Sequence, residues 1–214
     1  MPSGNKSKLI NDPLHGFVTL PSALVYDVVQ HPYFQRLRRI RQLGMSEWVY
    51  PGATHTRFHH ALGAMNLMVK ALDTLRGKGV EITEEEKEAA ILGILMHDIG
   101  HGPYSHTLEY TLAQGVNHED ISIMLMERMN IEFGGALRLA IDIFRGDYHK
   151  KPFLHQLISG ELDMDRLDYL MRDSFYTGVS EGIVGVDRLI HMLNVKDGDL
   201  VVEEKGIYSV EKFL

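Results

Sequence analysis

Apolar positions recur along this chain at two spacings. From Lys8 to Pro21 they alternate loosely around the turn signals Asn11-Asp12-Pro13 and Gly16, which predicts a short hairpin. After Ser22 the spacing becomes helical. Residues 22–31 predict a helix capped by Ser22, and Pro32 opens a second helix to about Gln42, with Gly44 closing it. Its apolar stripe is Phe34, Leu37 and Ile40. Residues 46–56, with Trp48-Val49-Tyr50-Pro51-Gly52, predict extended or loop chain.

A helix is expected over 57–76, with His60, Ala64, Leu67, Ala71 and Leu75 on its inward stripe. His60 thus sits on a core-facing side. Thr83 with Glu86 predicts a capping box, and the helix it opens carries Ala89 to Met96, apolar nearly all round and so expected to be central. Further helices are expected over 104–113, 117–129, 135–145, 153–159, 161–173 and 184–193. Val195 to Val210 reads as a hairpin, and Val210 to Leu214 as the opening of another, truncated helix. The fold class expected is all-α, with minor β-hairpins near both ends, after a disordered start over residues 1–8.

Composition narrows the class. A chain of 214 residues with 44% hydrophobic content suits one domain, or one domain plus a small appendage, with a real core. No apolar run has the length of a membrane span, and the N-terminus lacks the apolar core of a secretory signal. A cytoplasmic protein with no membrane partner is expected. With no cysteine, thiolate metal sites and disulfides are excluded. A net charge of −7 gives no strong signal for nucleic acid. The one basic cluster, Arg36, Arg38, Arg39 and Arg41, is read either as serving a local anion or as ordinary surface paired with acids.

The chemistry gathers around Leu92 to His106, where a buried apolar run ends in His97-Asp98, followed by Gly100, His101, Gly102 and His106. Six of the twelve histidines (55, 59, 60, 97, 101 and 106) fall within about fifty residues. A buried imidazole and carboxylate need partners, and a divalent metal satisfies both. His60 from one helix and a carboxylate from the helix over 161–173 are the candidates to complete such a site. On that helix Asp165, Tyr169 and Arg172 share one face, and Arg166, Tyr169 and Asp173 the adjoining one. Nitrogen and oxygen ligands suit one divalent ion, with Mg, Mn, Fe, Co, Ni and Zn not distinguished.

At these residues the chain resembles the HD superfamily of metal-dependent phosphohydrolases, and within it the deoxynucleoside triphosphate triphosphohydrolase branch. The resemblance rests on Asn11 to Gly16, Gln35 to Arg38 with Gln42-Leu43-Gly44, Tyr50 to Gly63, His97 to His106, Asn117-His118-Glu119 and Asp163 to Tyr169, in the family's order over residues 9–175. It implies an HD domain over about 9–193, with a hairpin and the start of a further region over 194–214. It implies that His60, His97, Asp98 and Asp165 bind the metal. It also implies that Arg57, His101, Arg166, Tyr169 and Asp173 face a nucleotide substrate, with Gln42 and Leu43 near its sugar. His106, Glu109 and His118, with His101 beside them, match the acid–base group at the scissile phosphate. The expected reaction converts a deoxynucleoside triphosphate to deoxynucleoside and triphosphate. The alternatives are a related hydrolase acting on another nucleotide, such as a monophosphate, and a nucleotide-sensing domain without turnover. A homo-oligomer, dimer or tetramer, is expected by analogy with the family.

Overall fold

In the computed structural model the described residues are 8–104, 117–180 and 185–211. The chain opens with strands β1 (Lys8–Asp12) and β2 (Gly16–Leu20), paired antiparallel from Lys8↔Leu20 to Asp12↔Gly16. Asp12 makes the turn, its Oδ1 accepting from the amides of Leu14 and His15 at 2.9 Å each. Gly16 supplies the positive φ of +72° that the turn requires.

Helix α1 (Ala23–Gln30) begins at Ser22, whose hydroxyl accepts from Val25 N. The helix expected over 32–42 is instead a turn, α2 (Pro32–Gln35), tightening into a 3-10 segment at Arg36–Arg39 and stopping at Ile40. The cause is a competing set of backbone bonds. Arg57 N donates to Ile40 O at 2.9 Å and Gln42 N to His55 O at 3.1 Å, and Arg41 bridges Thr56. Those pairings draw residues 40–42 into an extended path that a helix cannot follow. A second 3-10 segment, Gly44–Trp48, occupies the start of the stretch expected to be extended or loop.

Two long helices form the centre. Helix α3 (Arg57–Gly77) buries the whole inward stripe from His60 to Leu75. Helix α4 (Glu84–Met96) has the expected capping box, and Ala89 to Met96 are all buried. Helices α5 (His118–Glu132), α6 (Arg138–Arg145), α7 (Pro152–Gln156), α8 (Met164–Thr177) and α9 (Val186–Met192) complete the shell. Helix α3 packs against α4 and α8, and α4 also packs against α6. Gly134 and Gly135, both at positive φ, delay α6 until Arg138.

Strands β3 (Leu193–Lys196) and β4 (Asp199–Val202) form the second hairpin, shorter than expected, with Asp197-Gly198 at its turn in the left-handed region. A last turn, α10 (Ile207–Glu211), follows. The described residues are thus mostly helical with two small antiparallel sheets. Among them no helix is long and apolar enough to cross a membrane.

Candidate metal centre

Three helices bring four side chains to one place. His60 lies one turn into α3 and is fully buried. His97 and Asp98 follow directly on the last residue of α4. Asp165 lies in the first turn of α8, which Asp163 caps by accepting from Arg166 N at 2.6 Å. His60 Nε2 is 2.8 Å from Asp165 Oδ1 and 3.3 Å from His97 Nε2, and His97 Nε2 is 3.3 Å from the same Asp165 oxygen. His60, His97 and Asp165 form a group able to hold a metal ion. Asp98 borders that group, 3.5 Å from His97 Nε2 and 3.8 Å from His60 Nε2.

The far nitrogens of both imidazoles are already used. His97 Nδ1 donates to the Ile94 carbonyl at 2.6 Å, and His60 Nδ1 donates to Asp168 Oδ2 at 2.9 Å. A proton fixed at Nδ1 leaves the Nε2 lone pair free to ligate. The two Nε2 atoms and a carboxylate oxygen then converge, and only a positive charge holds them together. Among protein groups that charge is a proton. Burial opposes a charged His60, but Asp165 and Asp168 outweigh it and push the imidazole up to about 10. Burial opposes charge on His97 as well, and Asp98 with Asp165 raises it nonetheless. A divalent cation meets the same demand, and the mixed N/O donor set suits first-row metals and Mg.

Asp98 has further partners. Arg57 Nη1 donates to its Oδ2 at 2.6 Å, and His101 Nε2 lies 3.0 Å from its Oδ1. Burial works against ionisation of Asp98, yet His97, Arg57 and His101 hold the carboxyl well below its usual range. His101 in turn stacks on His118 in the first turn of α5, with centroids 4.0 Å apart and planes 19° apart. Burial pushes His101 down to about 4, against the pull of Asp98. Gly100 permits this approach, since a Cβ there would collide with the backbone of His118 and Ser122.

The HD domain family model matches residues 57–173, the span that carries all four of these side chains. The chain belongs to the HD domain family. Among curated relatives, the uncharacterized protein YwfO of Bacillus subtilis is 34% identical over 224 residues, covering 100% of this chain and 51% of that protein. The deoxynucleoside triphosphate triphosphohydrolase SAMHD1 of Homo sapiens is 32% identical over 211 residues, covering 80% of this chain and 34% of that protein. A phosphohydrolase crystal structure from Bacteroides thetaiotaomicron superposes with a TM-score of 0.94 at 60% identity, over 97% of this chain and 51% of that one. The chain therefore spans about half the length of the first of these relatives and a third of the human one.

The described residues also include others that the resemblance assigns to the site. Leu43 and Asp173 line one open cavity of about 240 Å³ together with Tyr50, Leu170 and Val179. Asp173 accepts from His55 Nε2 at 2.7 Å, and the His55 ring stacks on Tyr176. Gln42 Oε1 is buried without a hydrogen-bond partner among the described residues. The Tyr169 ring stands 6.5 Å from that of His60, and Arg166 is half-buried on the same turn of α8 as Asp165. His106 and Glu109 lie outside the described residues, as does most of the helix expected over 104–113.

Sequence reasoning assigned no role to several residues around the centre. Asp168, behind His60, was one, and Arg172, placed on the ligand face with Asp165, is instead fully buried against Asp168 and Asp12. A carboxylate and an arginine four apart on the face that also carries Met164 and Leu167 were the available signal. Arg36 also serves the centre. It donates to the carbonyls of Ile99 and His101, so this member of the basic cluster holds backbone. Two others are taken up locally: Arg41 pairs with Glu47, and Arg38 lies over the Phe58 ring.

Proposed function

We propose that this chain carries the active centre of a metal-dependent phosphohydrolase that converts deoxynucleoside triphosphates to deoxynucleoside and triphosphate. The observation that carries the reading is the meeting of His60, His97 and Asp165 within ligating distance, bordered by Asp98, in a chain that matches the HD model. Likeness to a named deoxynucleoside triphosphate triphosphohydrolase supports the substrate class. His60, His97 and Asp165, with Asp98 beside them, would hold a divalent ion, which would supply Lewis acidity toward water and phosphate.

The chain's own groups divide the remaining work. Arg57 fixes Asp98 and places a cation beside the centre, and Arg166 on α8 adds a second where a triphosphate would lie. His118, stacked on His101, delivers a proton to the leaving 5′-oxygen, a role that the resemblance also gives to His106 and Glu109. The low proton affinity of His101 suits it to orient its neighbour as a neutral ring. Leu43, Asp173 and Tyr169 bound the space for the nucleoside. The buried Gln42 Oε1 is an acceptor for a sugar hydroxyl.

The test is product analysis. Purified protein loaded in turn with Mg, Mn, Co, Ni, Fe and Zn is incubated with each of the four deoxynucleoside triphosphates, and the products are separated. Deoxynucleoside with intact triphosphate supports the reading. Stepwise orthophosphate release, or no consumption with any metal, overturns it.

A further inference from the structure

We infer that Asp168 is a positioning residue of the metal centre, and that the β1–β2 turn belongs to the centre through it. The inference rests on the metal-centre reading above.

Asp168 is fully buried, and both of its oxygens are engaged. Oδ2 accepts from His60 Nδ1 at 2.9 Å and Arg172 Nε at 2.8 Å. Oδ1 lies 2.6 Å from His15 Nε2 and accepts from Arg172 Nη2 at 3.0 Å. With four contacts from three side chains in fixed directions, the carboxylate cannot turn without losing hydrogen bonds, so it sets the orientation of the His60 ring. A carboxylate behind a ligating imidazole also raises its basicity toward the metal.

Two of those partners lead to the turn. His15 comes from it directly. Arg172 reaches past Asp168 to Asp12, with Nη1 on Oδ2 at 2.9 Å and Nη2 on Oδ1 at 3.4 Å. Asp12 Oδ1 also accepts the Leu14 and His15 amides that shape the turn. A continuous path therefore runs from the hairpin through Arg172 and His15 to Asp168 and His60. Burying two carboxylates and a guanidinium is costly, and apolar groups would fill the space at least as favourably. Helix α3 nevertheless makes room for them. A Cβ on Gly63 would collide with Asp168 Oδ1 and Arg172 Nη2. What the ionic set adds over apolar packing is direction at His60. Coupling is reciprocal, so a turn that holds His60 ready for an ion is itself held by that ion.

The test uses Mn²⁺ alone. Its affinity is measured by chelator competition for the native chain and for Asp168→Asn, His15→Ala and His15→Gln, with folding checked by circular dichroism. Amide exchange over residues 8–20 is followed with and without Mn²⁺. Asp168→Asn is expected to weaken Mn²⁺ binding about 10–100-fold. His15→Ala should weaken it less, and His15→Gln, whose amide still donates to Asp168, should restore it. Mn²⁺ should slow exchange of the Leu14 and His15 amides in the native chain. Folded Asp168→Asn that binds within about twofold of native, or hairpin exchange indifferent to the ion, overturns the inference. If Asp168→Asn does not fold, the His15 pair decides: native-like affinity in both variants overturns it. A native chain that binds no Mn²⁺ overturns the metal-centre reading as well, whereas native binding with unaffected variants overturns this inference alone.

Discussion

Arg36 Nη1 donates to the His101 carbonyl at 2.7 Å, while its Nη2 donates to that of Ile99 at 2.5 Å. One guanidinium thus clamps the turn that follows His97-Asp98. The fork geometry is specific to arginine, since a lysine amine has no planar pair of donors. Arg36→Ala is expected to cost about 2–3 kcal/mol of stability, and Arg36→Lys to recover only part of it. Urea denaturation reads both. An unchanged midpoint in Arg36→Ala would show that the turn stands without the clamp.

Gly63 offers a test of opposite sign. In a helix interior alanine is normally better than glycine by up to about 1 kcal/mol. Here a Cβ would strike the Asp168 carboxylate, with Cγ only 2.7 Å away. Gly63→Ala should therefore destabilise, by about 1–3 kcal/mol. Gly93→Ala, whose Cβ would meet the flexible tip of Ile158 at 2.7 Å, is expected to be milder. Thermal denaturation of the two variants gives the comparison, and a stabilised Gly63→Ala would contradict the packing described.

Glu86 governs part of the acid sensitivity. Its carboxylate accepts from Thr83 N at 2.8 Å, Lys151 Nζ at 2.7 Å and Tyr148 Oη at 2.7 Å. Burial alone would raise its pKa, but Lys151, Thr83 and Tyr148 outweigh burial and bring it to about 2, from an ordinary 4.5. The folded value lies below the unfolded one, so the unfolded chain takes up protons first as pH falls. The contribution is whole above pH 4.5 and fades as pH drops toward 2. Allowing for solvent near Lys151, it amounts to roughly 1–3 kcal/mol. Glu86→Gln should narrow the stability difference between pH 6 and pH 3 by that order. An equal acid dependence in variant and native protein would refute the assignment.

Ligand binding should register as stability. An ion that binds the folded state alone adds about 2.7 kcal/mol at a hundred times its dissociation constant. Mn²⁺ is therefore expected to raise the melting temperature of the native chain and leave that of Asp165→Ala nearly unmoved. Equal shifts in the two would place the ion elsewhere.

The elements that periodicity fixes strongly were legible from sequence. The His60 to Leu75 stripe and the all-round apolar Ala89 to Met96 segment are where helical spacing placed them, because a core needs those faces buried. The Ser22 cap and the Thr83–Glu86 box also read directly, since capping is local chemistry. Residues 32–42 did not. Their helical pattern lost to backbone pairing with residues 55–57, a contact that no local window contains. The same holds at the candidate centre. His60 and His97 stood out by residue type and position, while Asp165 was singled out among the carboxylates of its helix only by the resemblance. Asp12 and His15 reach the centre through Asp168 and Arg172, with Asp12 and Arg172 160 residues apart in sequence, a contact that no local spacing announces.

The central claim is that His60, His97 and Asp165, with Asp98 at their edge, hold a divalent ion. Metal content by plasma mass spectrometry, on native protein and His97→Ala purified side by side, tests it most directly. The expected result is about one ion per native chain and close to none in the folded variant. Equal metal content in the two proteins, or none in the native chain after exposure to Mg, Mn, Fe, Co, Ni and Zn, would contradict it.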